Sequence, residues 1–97
     1  MEILKIESWR DIPKNFTGIV EGPSGSKEWY KNGKYHRIDG PAIEHFDGSK
    51  LWYQNGKFHR TDGPAIEWED GDIEYWINGE QVTKEAQEIF HWLFSEK

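Results

Sequence analysis

The chain has 97 residues with a formal net charge of -6, no cysteine and 15% aromatic residues, six of them tryptophan. This length specifies one small domain, and the aromatic content excludes a disordered chain, because large rings bury enough apolar area to offset the entropy of ordering. The missing cysteines exclude disulfides, thiolate zinc sites and Cys nucleophiles, and the negative charge disfavours direct binding to nucleic acid, which depends on Lys and Arg.

The N-terminal segment, residues 1–17, resembles no later part of the chain. Ile3, Leu4, Ile6 and Trp9 predict a short strand or helix packed beneath the rest of the structure, which Pro13 is expected to end. The opening MEILKIESWRD has acids where a signal peptide would have a basic flank, and no apolar run approaches the roughly 20 residues that span a bilayer. We therefore expect a soluble, cytoplasmic protein that does not bind membranes.

A repeat of period 23 occupies residues 18–82, and we call the shift that carries Trp29 onto Trp52 the repeat offset. WYKNGKYHRIDGP at 29–41 returns as WYQNGKFHRTDGP at 52–64, and 13 of 18 positions agree between 29–46 and 52–69. The same offset relates residues 18–21 to 41–44 and Asn55-Gly56 to Asn78-Gly79. The chain therefore contains two clear copies, a degenerate opening copy and a truncated closing copy, and such a fixed period is typical of repeat architectures.

Each copy contains signals for short antiparallel strands. Asn-Gly between aromatic-rich runs predicts a two-residue type I′ turn, since both central residues need positive φ. Turns at Asn32-Gly33 and Asn55-Gly56 would make Tyr30 face Tyr35 and, one copy later, Tyr53 face Phe58.

A second turn per copy is predicted at Asp47-Gly48 and Asp70-Gly71, and Asp-Gly-Pro predicts a sharp connection. The strands are expected near 18–22, 27–31, 34–37, 42–46, 49–53, 58–60, 65–69, 73–77 and 80–82. Their register stays open, because a three-residue loop at these turns would exchange the side chains that share a face.

The period changes after residue 82, where Thr83 is a suitable N-cap for a helix over 83–96. One apolar stripe at helical spacing consists of Ala86, Ile89, Phe90, Leu93 and Phe94. The helix is expected to cap the open end of the sheet or to cover one of its faces, because an exposed edge strand invites pairing with other chains. Trp92 points away from the stripe and is either a rim contact with the sheet or part of a binding surface.

These elements predict a mainly β single domain, an antiparallel β-hairpin repeat meander closed by one C-terminal α-helix. WYxNGxxHRxDGPAxE followed by xxDGxxxWYxNG, which covers about two thirds of the chain, resembles a repeat of phage, bacterial and giant-virus proteins that is similar to the MORN-type β-hairpin repeat. The resemblance implies a β-repeat binding or scaffold protein without assigned catalysis. The closing copy departs from the pattern, since residues 80–82 lack the Lys-aromatic-His sequence and no Arg or Asp-Gly-Pro follows.

The recurring His, Arg and Asp residues suggest either metal binding and acid-base chemistry or a structural role. The structural role is favoured, with Asp paired to Arg and His beside Trp, because a repeat sets like groups in rows whereas an active site brings unlike groups together. The structural set is Trp29, Asn32, Gly33, His36, Arg37, Asp39, Trp52, Asn55, Gly56, His59, Arg60 and Asp62. We expect no enzyme activity, no metal and no other cofactor.

Five carboxylates straddle the predicted hairpin tip at residues 67–74. Three interpretations stay open: a solvated turn, a partner-binding patch and a divalent-cation site, although the spacing is not that of a calcium loop. As a partner-binding site, this surface would comprise Glu67, Trp68, Glu69, Asp70, Asp72 and Glu74, together with Trp92.

The favoured function is a non-enzymatic protein-binding module for a partner with a basic surface. The phage link would make it a small acidic inhibitor of a host defence or nucleic-acid-handling protein in the host cytoplasm. The alternative is a glycan- or small-ligand-binding scaffold that uses aromatic rows such as Trp29 and Trp52. An open edge strand near the N-terminal end would offer a homodimer interface.

Overall fold

A computed structural model of the protein describes residues 3–94, with the side chain of Phe94 outside this description. The strands are β1 (Ile3–Lys5), β2 (Gly18–Glu21), β3 (Lys27–Lys31), β4 (Lys34–Tyr35), β5 (Ile43–Glu44), β6 (Lys50–Leu51), β7 (Tyr53–Gln54), β8 (Lys57–Phe58), β9 (Ile66–Glu67), β10 (Ile73–Ile77) and β11 (Glu80–Val82). A 3₁₀ helix spans Trp9–Asp11, and helix α1 spans Lys84–Phe94. Residues 95 and 96 of the predicted helix lie outside the described residues. The predicted mainly β fold, with hairpins and one C-terminal helix, is confirmed.

The main sheet has the strand order β1-β2-β3-β5-β6-β9-β10-β11. Every neighbouring pair is antiparallel except β1 and β2, which are parallel. Each copy also contains an Asn-Gly hairpin: β3 with β4, β7 with β8, and β10 with β11. Of these, only β7 and β8 form a separate two-stranded sheet. The molecule is elongated, with extents of 42 × 30 × 20 Å. Within residues 3–94 no helix has the length and apolarity needed to cross a membrane.

The Asn-Gly turns have the predicted geometry. The φ angles are 52°, 53° and 49° at Asn32, Asn55 and Asn78, and 80°, 81° and 85° at the glycines that follow them. Positive φ at both central residues is the requirement of a type I′ turn. The predicted facing pairs also form, Tyr30 with Tyr35 and Tyr53 with Phe58.

The Asp-Gly turns contain three loop residues, the alternative left open together with the strand register. The N–H of His45 donates to the carbonyl oxygen of Ser49 at 2.9 Å, which leaves three loop residues, and Gly48 has φ of 99°. The Ser49 N–H donates to Asp47 Oδ1 at 2.8 Å and lowers the pKa of that carboxyl group. The strands on either side are shorter than predicted: 42–46 is reduced to β5, and 49–53 is divided into β6 and β7 with a break at Trp52.

The N-terminal segment extends the edge of the sheet, so its predicted position beneath the sheet is wrong. The register of β1 against β2 pairs Ile3 with Ile19, and the parallel ladder satisfies backbone groups that a packed layer would leave unpaired. Ile6 is buried in a cluster with Phe16 and Val20, whereas about half of the Ile3 side chain is exposed.

The core is a narrow column that follows the repeat. Val20, Ile43 and Ile66, which the repeat offset relates in turn, are buried, and Ala42 and Ala65 beside them are fully buried. Further packing along the side of this column comes from the repeated rings, which are half-buried: Trp29, Tyr30, Trp52 and Tyr53.

Helix α1 begins at its predicted cap but packs through a different face. The Oγ1 of Thr83 accepts a hydrogen bond from the Ala86 N–H at 3.0 Å, as an N-cap does. Ile89 and Leu93 of the predicted stripe are 61% and 55% exposed, whereas Gln87 is only 4% exposed. The apolar stripe is therefore not the packed face of the helix.

The side-chain amide of Gln87 anchors the helix to the second copy. Its Nε2 donates to the carbonyl oxygens of Arg60, at 2.7 Å, and of Gly63. Buried carbonyl groups require partners, so this polar anchor sets the rotation of α1 and leaves the apolar side chains outside. Phe90, which is half-buried, is the member of the stripe nearest to the packed face.

Candidate functional site

Histidine side chains join one copy of the repeat to the next. The Nδ1 atom of His36 accepts a hydrogen bond from the Asn55 N–H at 2.9 Å, and His59 Nδ1 accepts one from the Asn78 N–H at 3.0 Å. Burial lowers the pKa of both imidazoles, and the charge of Lys31 lowers that of His36 further. The neutral form is favoured, and only this form can accept at Nδ1.

Two buried serines form a second set of links, which the sequence analysis missed. The Oγ of Ser26 accepts from the Phe46 N–H at 2.9 Å, and the Oγ of Ser49 accepts from the Glu69 N–H at 3.0 Å. Both serines are buried. The signal for them was their spacing, because the repeat offset carries Ser26 onto Ser49.

The N-terminal segment supplies equivalent links to the first complete copy. The Asn32 N–H donates to Thr17 Oγ1 at 2.8 Å, where the later copies use a histidine. The Gly33 N–H donates to the Phe16 carbonyl oxygen at 2.9 Å, as Gly56 donates to Tyr35. Residues 16 and 17 thus close the array at its start.

The repeated arginines lie over the repeated tryptophans. Arg37 Cζ is 3.9 Å from the centroid of the Trp29 ring, and Arg60 Cζ is 4.0 Å from that of Trp52. This differs from the expected stacking of His beside Trp. Arginine occupies the ring because its planar guanidinium can stack and donate hydrogen bonds in its plane at once.

Each guanidinium is held by three oxygen atoms of its own copy. In the second copy, Arg60 Nε donates to Asp62 Oδ1 at 2.9 Å, and Nη1 donates to the Pro64 carbonyl oxygen at 3.0 Å and to Glu67 Oε2 at 3.3 Å. The first copy repeats these bonds at 3.0, 3.1 and 3.2 Å. The hydrogen bonds from arginine lower the pKa of Asp39 and Asp62.

A row of aromatic rings runs along the Asn-Gly hairpins. Successive centroids are 6.4, 5.0, 4.9, 4.4 and 5.1 Å apart in the series Phe16, Tyr30, Tyr35, Tyr53, Phe58 and Trp76. Burial raises the pKa of Tyr30, whose hydroxyl donates to Glu28 Oε1 at 2.6 Å. Because each ring contacts its neighbours in the row, these rings pack the hairpins of successive copies against one another.

Three clefts follow the repeat. The first, of about 580 Å³, is lined by Trp29, Arg37 and Asp39 among others. The repeat cleft, of about 480 Å³, lies between the first and second copies and is lined by Asp39, Gly40, Trp52 and Arg60 among others. The helix cleft, of about 800 Å³, lies between the second copy and α1 and is lined by Asp62, Gly63, Tyr75, Glu88, His91 and Trp92 among others. The helix cleft thus combines two aromatic rings and two carboxylates with the basic side chains of His91 and Lys84.

The structure divides the predicted partner-binding residues into three groups. Glu67 and Glu74 have structural contacts: Glu67 binds Arg60, while Glu74 accepts from the indole N–H groups of Trp68, at 3.1 Å, and Trp76, at 3.0 Å. The acidic tip, which we define as Trp68, Glu69, Asp70 and Asp72, is exposed. Trp92 is separate from this tip and lines the helix cleft, with 77% of its surface exposed.

Among residues 3–94, no three His, Asp or Glu side chains are grouped closely enough to hold a metal ion. Comparisons of the chain with protein-family models, with curated proteins and with solved structures find no match. The repeat sheet, the helix cleft and the exposed side of α1 are therefore the features from which a function has to be argued.

Proposed function

We propose that this protein is a non-enzymatic protein-binding module whose contact surface is the outer face of α1. The observation that carries the proposal is the exposure of three large apolar side chains on this one helix: Ile89 at 61%, Trp92 at 77% and Leu93 at 55%. Single exposed apolar residues are ordinary, but positions i, i+3 and i+4 adjoin on a helix and form a patch. Such patches on soluble domains are typical of interaction sites.

The expected partner is a protein with a basic surface. Carboxylates border the apolar patch, with Glu85 and Glu88 on the helix itself and Asp62 across the cleft. The whole chain carries a net charge of -6. An apolar centre with a charged border fits an interface in which Trp92 is the anchor, since tryptophan is among the residues that contribute most to binding energy.

The narrower role of an inhibitor requires more than binding. It requires that the partner be an enzyme whose activity falls when α1 docks on it. The acidic tip is a second predicted contact, and the experiment below tests it separately.

Glycan binding by the tryptophan rows has less support. Sugar rings stack on free aromatic faces, but guanidinium groups lie over Trp29 and Trp52 at 3.9 and 4.0 Å. A sugar would have to use the opposite face of each half-buried ring.

The proposal is tested with three variants that are first shown to fold by circular dichroism. The helix variant carries Ile89→Ala, Trp92→Ala and Leu93→Ala, which preserve helix propensity. The tip variant carries Glu69→Lys, Asp70→Lys and Asp72→Lys. The matched control carries Ile3→Ala, Ile38→Ala and Phe46→Ala, which remove three exposed apolar side chains elsewhere.

A partner captured by the wild-type protein is purified and titrated calorimetrically against all four proteins. We expect one-to-one binding that weakens at high salt, that the control retains and that the helix variant weakens at least about tenfold. Undiminished binding by the helix variant, or loss in the tip variant alone, overturns the proposed surface. A wild-type dimer that the helix variant converts to a monomer in sedimentation overturns the proposal too, since a second copy then covers this face.

A further inference from the structure

The stack of arginine on an aromatic ring is complete in the two clear copies of the repeat and incomplete in the closing copy. The repeat offset relates Trp52 to Tyr75, so the closing copy retains an aromatic ring at this position. The same offset relates Arg60 to Thr83, whose hydroxyl is bonded to the first turn of α1. The closing copy therefore presents the aromatic half of the stack without its guanidinium.

The helix cleft is the counterpart of the repeat cleft at this position. The repeat offset relates Asp39 and Gly40 of the repeat cleft to Asp62 and Gly63 of the helix cleft. Arg60 lines the repeat cleft of about 480 Å³, whereas the helix cleft of about 800 Å³ has no arginine among its described lining residues. The helix cleft thus retains the aromatic ring of the repeated stack and has additional space beside it.

The walls of the helix cleft suit a guanidinium group. Tyr75 and Trp92 provide aromatic faces, and Asp62 and Glu88 provide carboxylate oxygens, the two partners that planar guanidinium groups use in proteins. The hydrogen bond from Arg60 lowers the pKa of Asp62 and so favours its charged form.

Two basic side chains, Lys84 and His91, also line the cleft. The ammonium group of Lys84 offsets part of the carboxylate charge, so charge alone would not make the cleft selective for one kind of cation. Stacking and fork-shaped hydrogen bonding distinguish arginine from lysine, because only the guanidinium is planar with several donors in fixed positions.

We infer that the helix cleft binds an arginine side chain of the partner protein, with its guanidinium over Tyr75 and its N–H groups donating to Asp62 and Glu88. This arginine takes the place of the one that the closing copy of the repeat lacks. The inference rests on the proposed function, because the partner supplies the arginine to a cleft that borders the apolar face of α1.

The experiment is a titration of ¹⁵N-labelled full-length protein, followed by NMR, with N-acetyl-L-arginine methylamide and separately with N-acetyl-L-lysine methylamide. We expect saturable shifts at the amides of Asp62, Tyr75 and Glu88 and at the indole N–H of Trp92. The arginine probe should bind about fivefold or more tightly than the lysine probe. Glu88→Gln should weaken the arginine probe about three- to tenfold, whereas Glu85→Gln, on the same helix but not lining the cleft, should leave it unchanged.

Four outcomes overturn the inference: no saturable shift, equal affinity for the two probes, shifts confined to the repeat cleft, or equal effects of the two glutamine variants. These outcomes leave the proposed function intact if the helix variant still loses its partner. Conversely, a partner indifferent to the helix variant overturns the proposed function even where the arginine probe binds.

Discussion

The backbone N–H of Asn55 donates to Nδ1 of His36 at 2.9 Å, across the boundary between two copies of the repeat. His59 and Asn78 repeat this bond one period later, at 3.0 Å. A protonated imidazole carries hydrogen on both nitrogens and cannot accept the bond. The contact between copies is therefore sensitive to pH.

Acidification should destabilise the fold before most carboxylates titrate. Burial lowers the pKa of His36 and His59 in the folded state, so between their folded and unfolded values the unfolded chain binds more protons. Their contribution is fully present above pH about 6.5, the ordinary histidine pKa, and is lost as the pH falls from there through the folded value. We expect a lower melting temperature at pH 5.5 than at pH 7.5.

The control for the pH effect is His45→Ala, which removes an exposed histidine outside the bonds between copies; its Nδ1 lies 3.0 Å from Asp47 Oδ1. A protonated imidazole attracts a carboxylate, so removing His45 should not reduce the loss of stability at pH 5.5. The double variant His36→Ala and His59→Ala should be less stable at pH 7.5 and should lose most of the difference between the two pH values. An unchanged difference in the double variant would contradict the assignment.

The guanidinium of Arg60 should not be replaceable by an ammonium group. Arg60→Lys retains the charge but removes the planar stack on Trp52 and the simultaneous bonds to Asp62 and the Pro64 carbonyl. We expect a loss of about 1–2 kcal/mol in unfolding free energy, measured by urea denaturation. Arg10→Lys, at an exposed position, should change it by less than about 0.5 kcal/mol. Equal effects of the two substitutions would show that the stack adds nothing to stability.

Asn55 should be exchangeable for glycine but not for alanine. Its φ of 53° lies in the left-handed region, which costs an ordinary residue such as alanine about 1–2 kcal/mol. Glycine has no Cβ, and asparagine offsets the cost through local hydrogen bonds of its side chain. Thermal denaturation should show Asn55→Ala destabilised by about 1 kcal/mol and Asn55→Gly close to the wild type. If both variants lose the same stability, the asparagine side chain matters rather than the turn.

The anchor of α1 should depend on the amide of Gln87. Gln87→Leu preserves size and helix propensity but leaves the carbonyl oxygens of Arg60 and Gly63 without this donor. We expect a loss of about 1–3 kcal/mol and faster amide hydrogen exchange in α1. Gln81→Leu, the same substitution at an exposed strand position, is the control and should have little effect on either measurement. If amide hydrogen exchange in α1 is unchanged in Gln87→Leu, the helix is anchored by other contacts.

The hairpins and their turns were predictable because their causes are local. Asn-Gly forces positive φ wherever it occurs, and the repeat offset carries each feature to the next copy. Arg37 and His36 form hydrogen bonds that recur one period later, and the ring partner of Trp29 is arginine rather than the expected histidine. The loop of three residues at Asp47 was left open, since turn length depends on the register of the strands it joins.

The candidate site could be predicted only in part. Trp92 was identified as a candidate contact from its place off the apolar stripe, but the roles of Ile89 and Leu93 were reversed, because apolar spacing alone predicts burial. The polar Gln87 took the packed position because two carbonyl groups at the end of the second copy needed a donor. A sequence pattern does not show which backbone groups a neighbouring element leaves unpaired.

The order of residues thus specifies the repeat, its period, its turns and the point at which the array stops, since each depends on contacts within a few residues or on translation by a fixed offset. The tertiary arrangement specifies the rotation of α1, the exposure of its apolar face and the cleft beside Tyr75. These features arise where the last copy meets the helix, and there the regularity ends and long-range hydrogen bonds set the packing.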